Sequence, residues 1–180
     1  MAPGAPSLLS LVGAAYYGVV FLACILGFRA ARGAPNWHLA VWGALVILFA
    51  ALIVWRVLSL EDILRTELRD LLRGSHAYGQ RRGLQLVLAG GLALIGAIAA
   101  TVAIRMVRTL IRGRRDRFCF IALLSGGAML GLVLLRLISW HATDLLLFGP
   151  LKLNWFLDLG LATSVAACAL LYATRARKRR

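Results

Sequence analysis

Residues 37–55 read WHLAVWGALVILFAALIVW, an unbroken run without one formally charged side chain. At 1.5 Å per residue such a run makes a helix about 28 Å long, close to the roughly 30 Å of a bilayer's hydrocarbon core. Working outward, residues 83–104 and 118–135 are equally free of charge. With an apolar run near the start and another near the end, five segments satisfy the spanning length: about 8–28, 37–57, 84–104, 118–138 and 153–173. The last is the weakest, because Asp158 lies inside it and the clean stretch Leu159–Ala173 is too short to cross without the preceding turn. The first run is longer than a signal-peptide core, and residues 1–7 carry no Lys or Arg, so it is read as a span.

Composition agrees. The chain has 180 residues, 61% of them hydrophobic, where soluble domains hold about 45–50%. A water-soluble globule is excluded, and little mass is left outside the spans. The expected fold is an all-α integral membrane protein: one transmembrane domain over residues 1–180, a bundle of five helices plus a short amphipathic interfacial helix.

The charge is strongly basic, 21 Lys and Arg against 7 acids for a net +14. One set of segment ends holds Arg29 and Arg32, six arginines between Arg105 and Arg117, and five basic residues from Arg175 to Arg180, with Asp116 as their lone acid. The opposite ends hold eight basic residues and the other six acids. By the positive-inside rule the N-terminus is expected outside and the C-terminus in the cytoplasm. Compactness and the preference for Arg over Lys suggest a bacterial inner membrane. The basic ends are expected to lie against anionic headgroups. Nucleic acid is not an expected partner, because no aromatic residues interleave with the arginines and no fold presents them.

Two irregular stretches stand out. Leu60, Ile63, Leu64, Leu68, Leu71 and Leu72 recur at helical spacing, with Ser59 and Asp62 resembling a capping box and Gly74 a C-terminal stop. Residues 60–73 therefore read as an amphipathic helix, either lying on the outer surface or continuing the second span. Residues 139–152, SWHATDLLLFGPLK, carry an interfacial Trp140 and the breaker Gly149-Pro150, and read as a short interfacial or re-entrant turn.

Cys24, Cys119 and Cys168 each sit in an apolar run with no CxxC or Cys/His spacing, so they read as packing residues. His38 and His141 fall at opposite faces, and no spacing brings three ligands to one metal. GxSxG, HExxH, P-loop and GxGxxG patterns are absent from any suitable context. Ser125 and Ser164 lie deep in their spans without a charged neighbour. No enzyme, metal or cofactor is expected.

What remains are polar residues near one face. Arg136, Arg56 and Asp158 lie just inside the outer ends of their spans, where an unpaired charge is costly. Asn154 shares a helix face with Asp158, and His141 and Asp144 follow beyond Arg136. Arg56, Arg136, His141, Asp144, Asn154 and Asp158 form a candidate polar cluster. It either binds a polar head, as in a small transporter or a lipid- or quinone-binding protein, or pairs its own charges to pin the spans together.

Small residues recur at GxxxG-like spacing: Gly127 and Gly131, Ala89, Ala93 and Ala97, Ala14 and Gly18, Gly160 and Ser164. Such steps let helix backbones approach closely, within the chain or between chains. The leading expectation is a non-catalytic accessory or assembly subunit that packs against other membrane protein subunits through these faces.

Overall fold

The computed structural model describes residues 8–58, separate helical positions between 90 and 109, residues 110–138 and residues 153–177. The expected interfacial helix at 60–73 and the 139–152 turn lie outside the described residues, as do many positions of the third expected span.

Helices and short turns make up the described residues, with no strand among them. The four long helices are α1 (Leu8–Ala30), α2 (Asn36–Val57), α3 (Arg114–Ile138) and α4 (Leu153–Arg177). All four are long and apolar enough to cross a membrane. Asp158 does not interrupt α4, and arginines at either end extend the helices beyond their apolar cores: α3 starts at Arg114 and α4 runs to Arg177. Arginine is a good helix former, so nothing local stops either helix at the first charge.

The turn between α1 and α2 is tight. Ala31 N–H donates to Gly27 O at 2.9 Å, closing the last turn of α1, and Ala34 N–H donates to Ala31 O at 2.9 Å. Gly33 takes φ 91°, a left-handed value that a side chain would resist. Pro35 then holds an extended backbone, and its carbonyl accepts from His38 N–H at 2.9 Å. So short a connection forces α1 and α2 antiparallel.

Long-range bonds fix the remaining directions. Tyr17 of α1 meets Asp158 near the start of α4, whereas His38 near the start of α2 meets Tyr172 near the end of α4. Helices α1 and α4 therefore run parallel, and α2 opposes both. Asp116, at the start of α3, also meets His38, so α3 runs parallel to α2. The ring order is α1, α2, α3, α4 and back to α1, with α2 and α3 touching least. One consequence is topological: α2 finishes at one end of the bundle and α3 begins at the other.

Each helix buries a stripe at helical spacing. Tyr17, Val20, Cys24 and Ala31 come from α1 and its turn, His38, Trp42, Leu45, Phe49 and Leu52 from α2, Cys119, Ala122 and Met129 from α3, and Asp158, Ala162, Val165, Ala169 and Tyr172 from α4. Trp42 and Phe49 are wholly enclosed. Two glycines let backbones close on these cores. A Cβ on Gly27 would stand 2.8 Å from the Trp42 ring, and one on Gly126 would overlap the Leu45 side chain. Outside, the helices expose leucine, isoleucine, valine and phenylalanine, with Ile47 at 71% and Phe156 at 75%. An apolar exterior around an apolar core suits lipid more than water.

Candidate functional site

Of the six expected cluster residues the structure brings two into contact. Arg56, in the last turn of α2, donates from Nη2 to Asp158 Oδ2 at 2.8 Å. The other carboxylate oxygen, Oδ1, accepts from Tyr17 Oη–H at 2.5 Å. The Arg136 and Asn154 backbones lie in α3 and α4, but their side chains fall outside the described residues, as do His141 and Asp144 altogether.

Three further residues complete this end. The Arg56 guanidinium lies 5.5 Å from the Tyr17 ring centroid and 5.8 Å from that of Trp155, within cation–π range of both. Ser10 Oγ–H donates to the Arg56 carbonyl at 2.8 Å, tying α1 to the last turn of α2. Gly13 of α1 lies beside the guanidinium, where an added Cβ would stand 3.5 Å from its central carbon, in ordinary contact. Both oxygens of a buried carboxylate are thus engaged by the protein, and α1, α2 and α4 are joined at a single residue. Beside it, Tyr16 Oη and Thr163 Oγ1 share a hydrogen bond of 2.6 Å.

A second polar cluster, unforeseen in the sequence, occupies the opposite end. His38 is 2% exposed. Its Nδ1 shares a 2.8 Å hydrogen bond with Tyr172 Oη. Its Nε2 stands 3.0 Å from Asp116 Oδ1, off the line of a good hydrogen bond. Asp116 Oδ2 meanwhile accepts from the backbone N–H groups of Gly113, at 2.7 Å, and Arg112, at 3.1 Å. It caps α3 by reaching back from the first turn, as the acidic member of a capping box does. Arg115 lies over the Tyr172 ring at 4.5 Å and donates to the Ala30 carbonyl at 3.1 Å. All four helices meet here.

Asp116, His38 and a hydroxyl in sequence have the partner order of an acid–base relay. Tyr172 is fully enclosed, however, and no substrate can reach its oxygen in this arrangement. Midway between the clusters, Ser125 Oγ–H donates to Ser164 Oγ at 3.0 Å, pairing across α3 and α4 the two serines that had no neighbour in the linear reading. The three cysteines are buried free thiols. Among the described residues no group of three or more His, Cys, Asp or Glu is placed to hold a metal ion.

No protein family, characterised protein or solved structure matches the chain. Each cluster links several helices, and the carboxylates of Asp158 and Asp116 both accept hydrogen bonds from groups of the same chain.

The small-residue steps divide by use. Ala14 is buried, and Ser164 is bonded to Ser125. Among the described residues nothing lies within 4 Å of a Cβ added at Gly18, Gly127, Gly131 or Gly160. Ala89, Ala93 and Ala97 fall outside the described residues. The Gly127–Gly131 step is thus turned away from the described bundle, whereas the close approaches inside it use Gly27 and Gly126.

Proposed function

We propose that the chain is a non-catalytic accessory or assembly subunit of a larger membrane protein complex, docking through the outward face of α3. The observation that carries this reading is the Gly127–Gly131 step, which no described residue of the chain covers. A second helix can approach there as closely as the backbone allows, and within lipid such van der Waals packing is what draws helices together. The polar clusters support the same reading: their groups hold the subunit's own helices, which leaves packing surfaces as its principal resource.

In this reading the chain crosses the membrane five times. Helices α2 and α3 run parallel, so the end of α2 and the start of α3 lie at opposite ends of the bundle, and separate helical positions between 90 and 104 fall in the third expected span. The chain sits in a bacterial inner membrane with its N-terminus outside and its arginine-rich end in the cytoplasm. A reporter enzyme fused after Arg180 is expected to be active only when it needs the cytoplasm; activity from a periplasm-dependent reporter would reverse the orientation.

The subunit reading is tested by purifying the tagged chain in mild detergent. Other membrane subunits are expected in fixed ratio with it. Gly127→Leu with Gly131→Leu is expected to remove them while leaving helicity and the unfolding midpoint unchanged, since the added side chains point at no described residue of the chain. A monodisperse chain carrying only lipid or quinone would overturn the reading.

A further inference from the structure

The end of the bundle that holds His38 also gathers arginines from three separate segments. Arg29 and Arg32 flank the end of α1, Arg112, Arg114 and Arg117 surround the start of α3, and Arg177 closes α4; all six are exposed. Contacts between the same helix ends fix them on one face. Arg115 bonds to the Ala30 carbonyl, Arg175 lies 5.1 Å over the Phe118 ring, and His38 touches both Asp116 and Tyr172. The nearby acid, Asp116, is already committed to His38 and to two backbone N–H groups. The six exposed guanidinium groups therefore face outward with their charge uncompensated by that carboxylate.

One to two helical turns nearer the middle of the bundle, the surface changes character. Leu26, Leu39, Ile121, Leu124, Leu170 and Leu171 are exposed at 36–49%. A ring of guanidinium groups thus borders a belt of aliphatic side chains. A two-part surface of this kind fits a two-part ligand, with an anionic head at the ring and acyl chains along the belt.

We infer that this end binds anionic phospholipid, with phosphodiester headgroups held by Arg29, Arg32, Arg112, Arg114, Arg117 and Arg177. Guanidinium groups suit the role better than ammonium groups, because their planar donor pairs match two phosphate oxygens at once. Charge complementarity recruits the head, and the adjoining leucines exclude polyanions that lack chains. The inference rests on the membrane-spanning reading and is independent of any partner subunit.

The test uses the purified full chain in lipid nanodiscs and in micelles containing equal amounts of phosphatidylglycerol and phosphatidylcholine with identical acyl chains, read by native mass spectrometry. Phosphatidylglycerol is expected to be retained about tenfold over phosphatidylcholine, the ratio falling as salt rises. Arg29→Gln, Arg32→Gln and Arg117→Gln together should bring the ratio close to one, while the three Lys replacements should keep part of it. Helicity and monodispersity of the variants show that the fold is intact.

Equal retention of the two lipids by the parent chain, or an unchanged ratio in the Gln variant, would overturn the inference. So would a short DNA oligonucleotide that displaces phosphatidylglycerol from the parent chain. Failure of the parent chain to enter nanodiscs at all would count instead against the membrane-spanning reading.

Discussion

Asp158→Ala is expected to destabilise the bundle by about 3–5 kcal/mol, because it removes the carboxylate that pairs with Arg56 among the described residues and leaves the guanidinium partly buried. Arg56 keeps 22% of its side-chain surface exposed and Asp158 9%, so water relieves little of the loss. The same change strips Tyr17 Oη–H of its acceptor. Two contributions thus act together, and three helices lose their shared fixture. The midpoint of unfolding in mild detergent titrated with sodium dodecyl sulfate, followed by circular dichroism, reads the effect.

The double variant Arg56→Met with Asp158→Leu is expected to recover most of that stability, since replacing a whole buried pair with apolar groups of similar volume is often neutral. An Asp158→Ala midpoint equal to that of the parent would show that the pair does not hold the helices. Full loss in the double variant would show that the ionic contact itself, beyond the avoidance of a stranded charge, is required.

The second large effect concerns a glycine. Gly27→Leu is expected to cost roughly 1–3 kcal/mol or more, because its first side-chain carbon would stand 2.8 Å from the wholly enclosed Trp42 ring. Trp42 cannot yield easily, being packed against Gly27 on one side and 5.4 Å from the Tyr172 ring centroid on another. Gly18→Leu, nine residues earlier on the same helix, meets nothing within 4 Å among the described residues and is expected to leave the midpoint unchanged or slightly raised. The pair separates steric cost from the general effect of replacing glycine in a helix, which favours leucine at both sites. Equal midpoints for the two variants would contradict the packing of α1 on α2.

Such contacts carry unusual weight if the helices stand in lipid, where acyl chains are as apolar as leucine. Burial then drives association weakly, and close packing with interhelical hydrogen bonds decides which helices meet. The Arg56 and His38 clusters tie the two ends, and Ser125 with Ser164 links the middle.

The helices themselves were legible in the sequence, because charge-free runs such as Trp37–Trp55 satisfy a length rule that needs no knowledge of neighbours. Arg56 and Asp158 were legible for a related reason: each is a charge inside an apolar run, and each therefore demands a partner. What the chain could not display in linear form was the neutral half of that site. Tyr17 is separated from Asp158 by 141 positions, and only the packing register of α1 against α4 brings its hydroxyl to the carboxylate.

In linear form His38 stands as an isolated histidine and Asp116 as a lone acid among arginines. The available signal was parity, since alternate segment ends share one side and both residues fall on it. Nothing short of the fold could say that Tyr172 completes the set. The glycines show the same limit from the other direction. Spacing drew attention to Gly127 and Gly131, but close approach depends on which face a neighbour occupies, and the bundle closes at Gly27 and Gly126 instead.

The proposed role turns on what covers the Gly127–Gly131 face of α3. A photoreactive amino acid placed at Gly127, which no described residue covers, and separately at Ile47, on the exposed side of α2, tests this in the native membrane. The account predicts that irradiation at Gly127 links the chain to a distinct membrane protein in a discrete product, whereas Ile47 yields lipid adducts. Lipid adducts alone from both positions would contradict it.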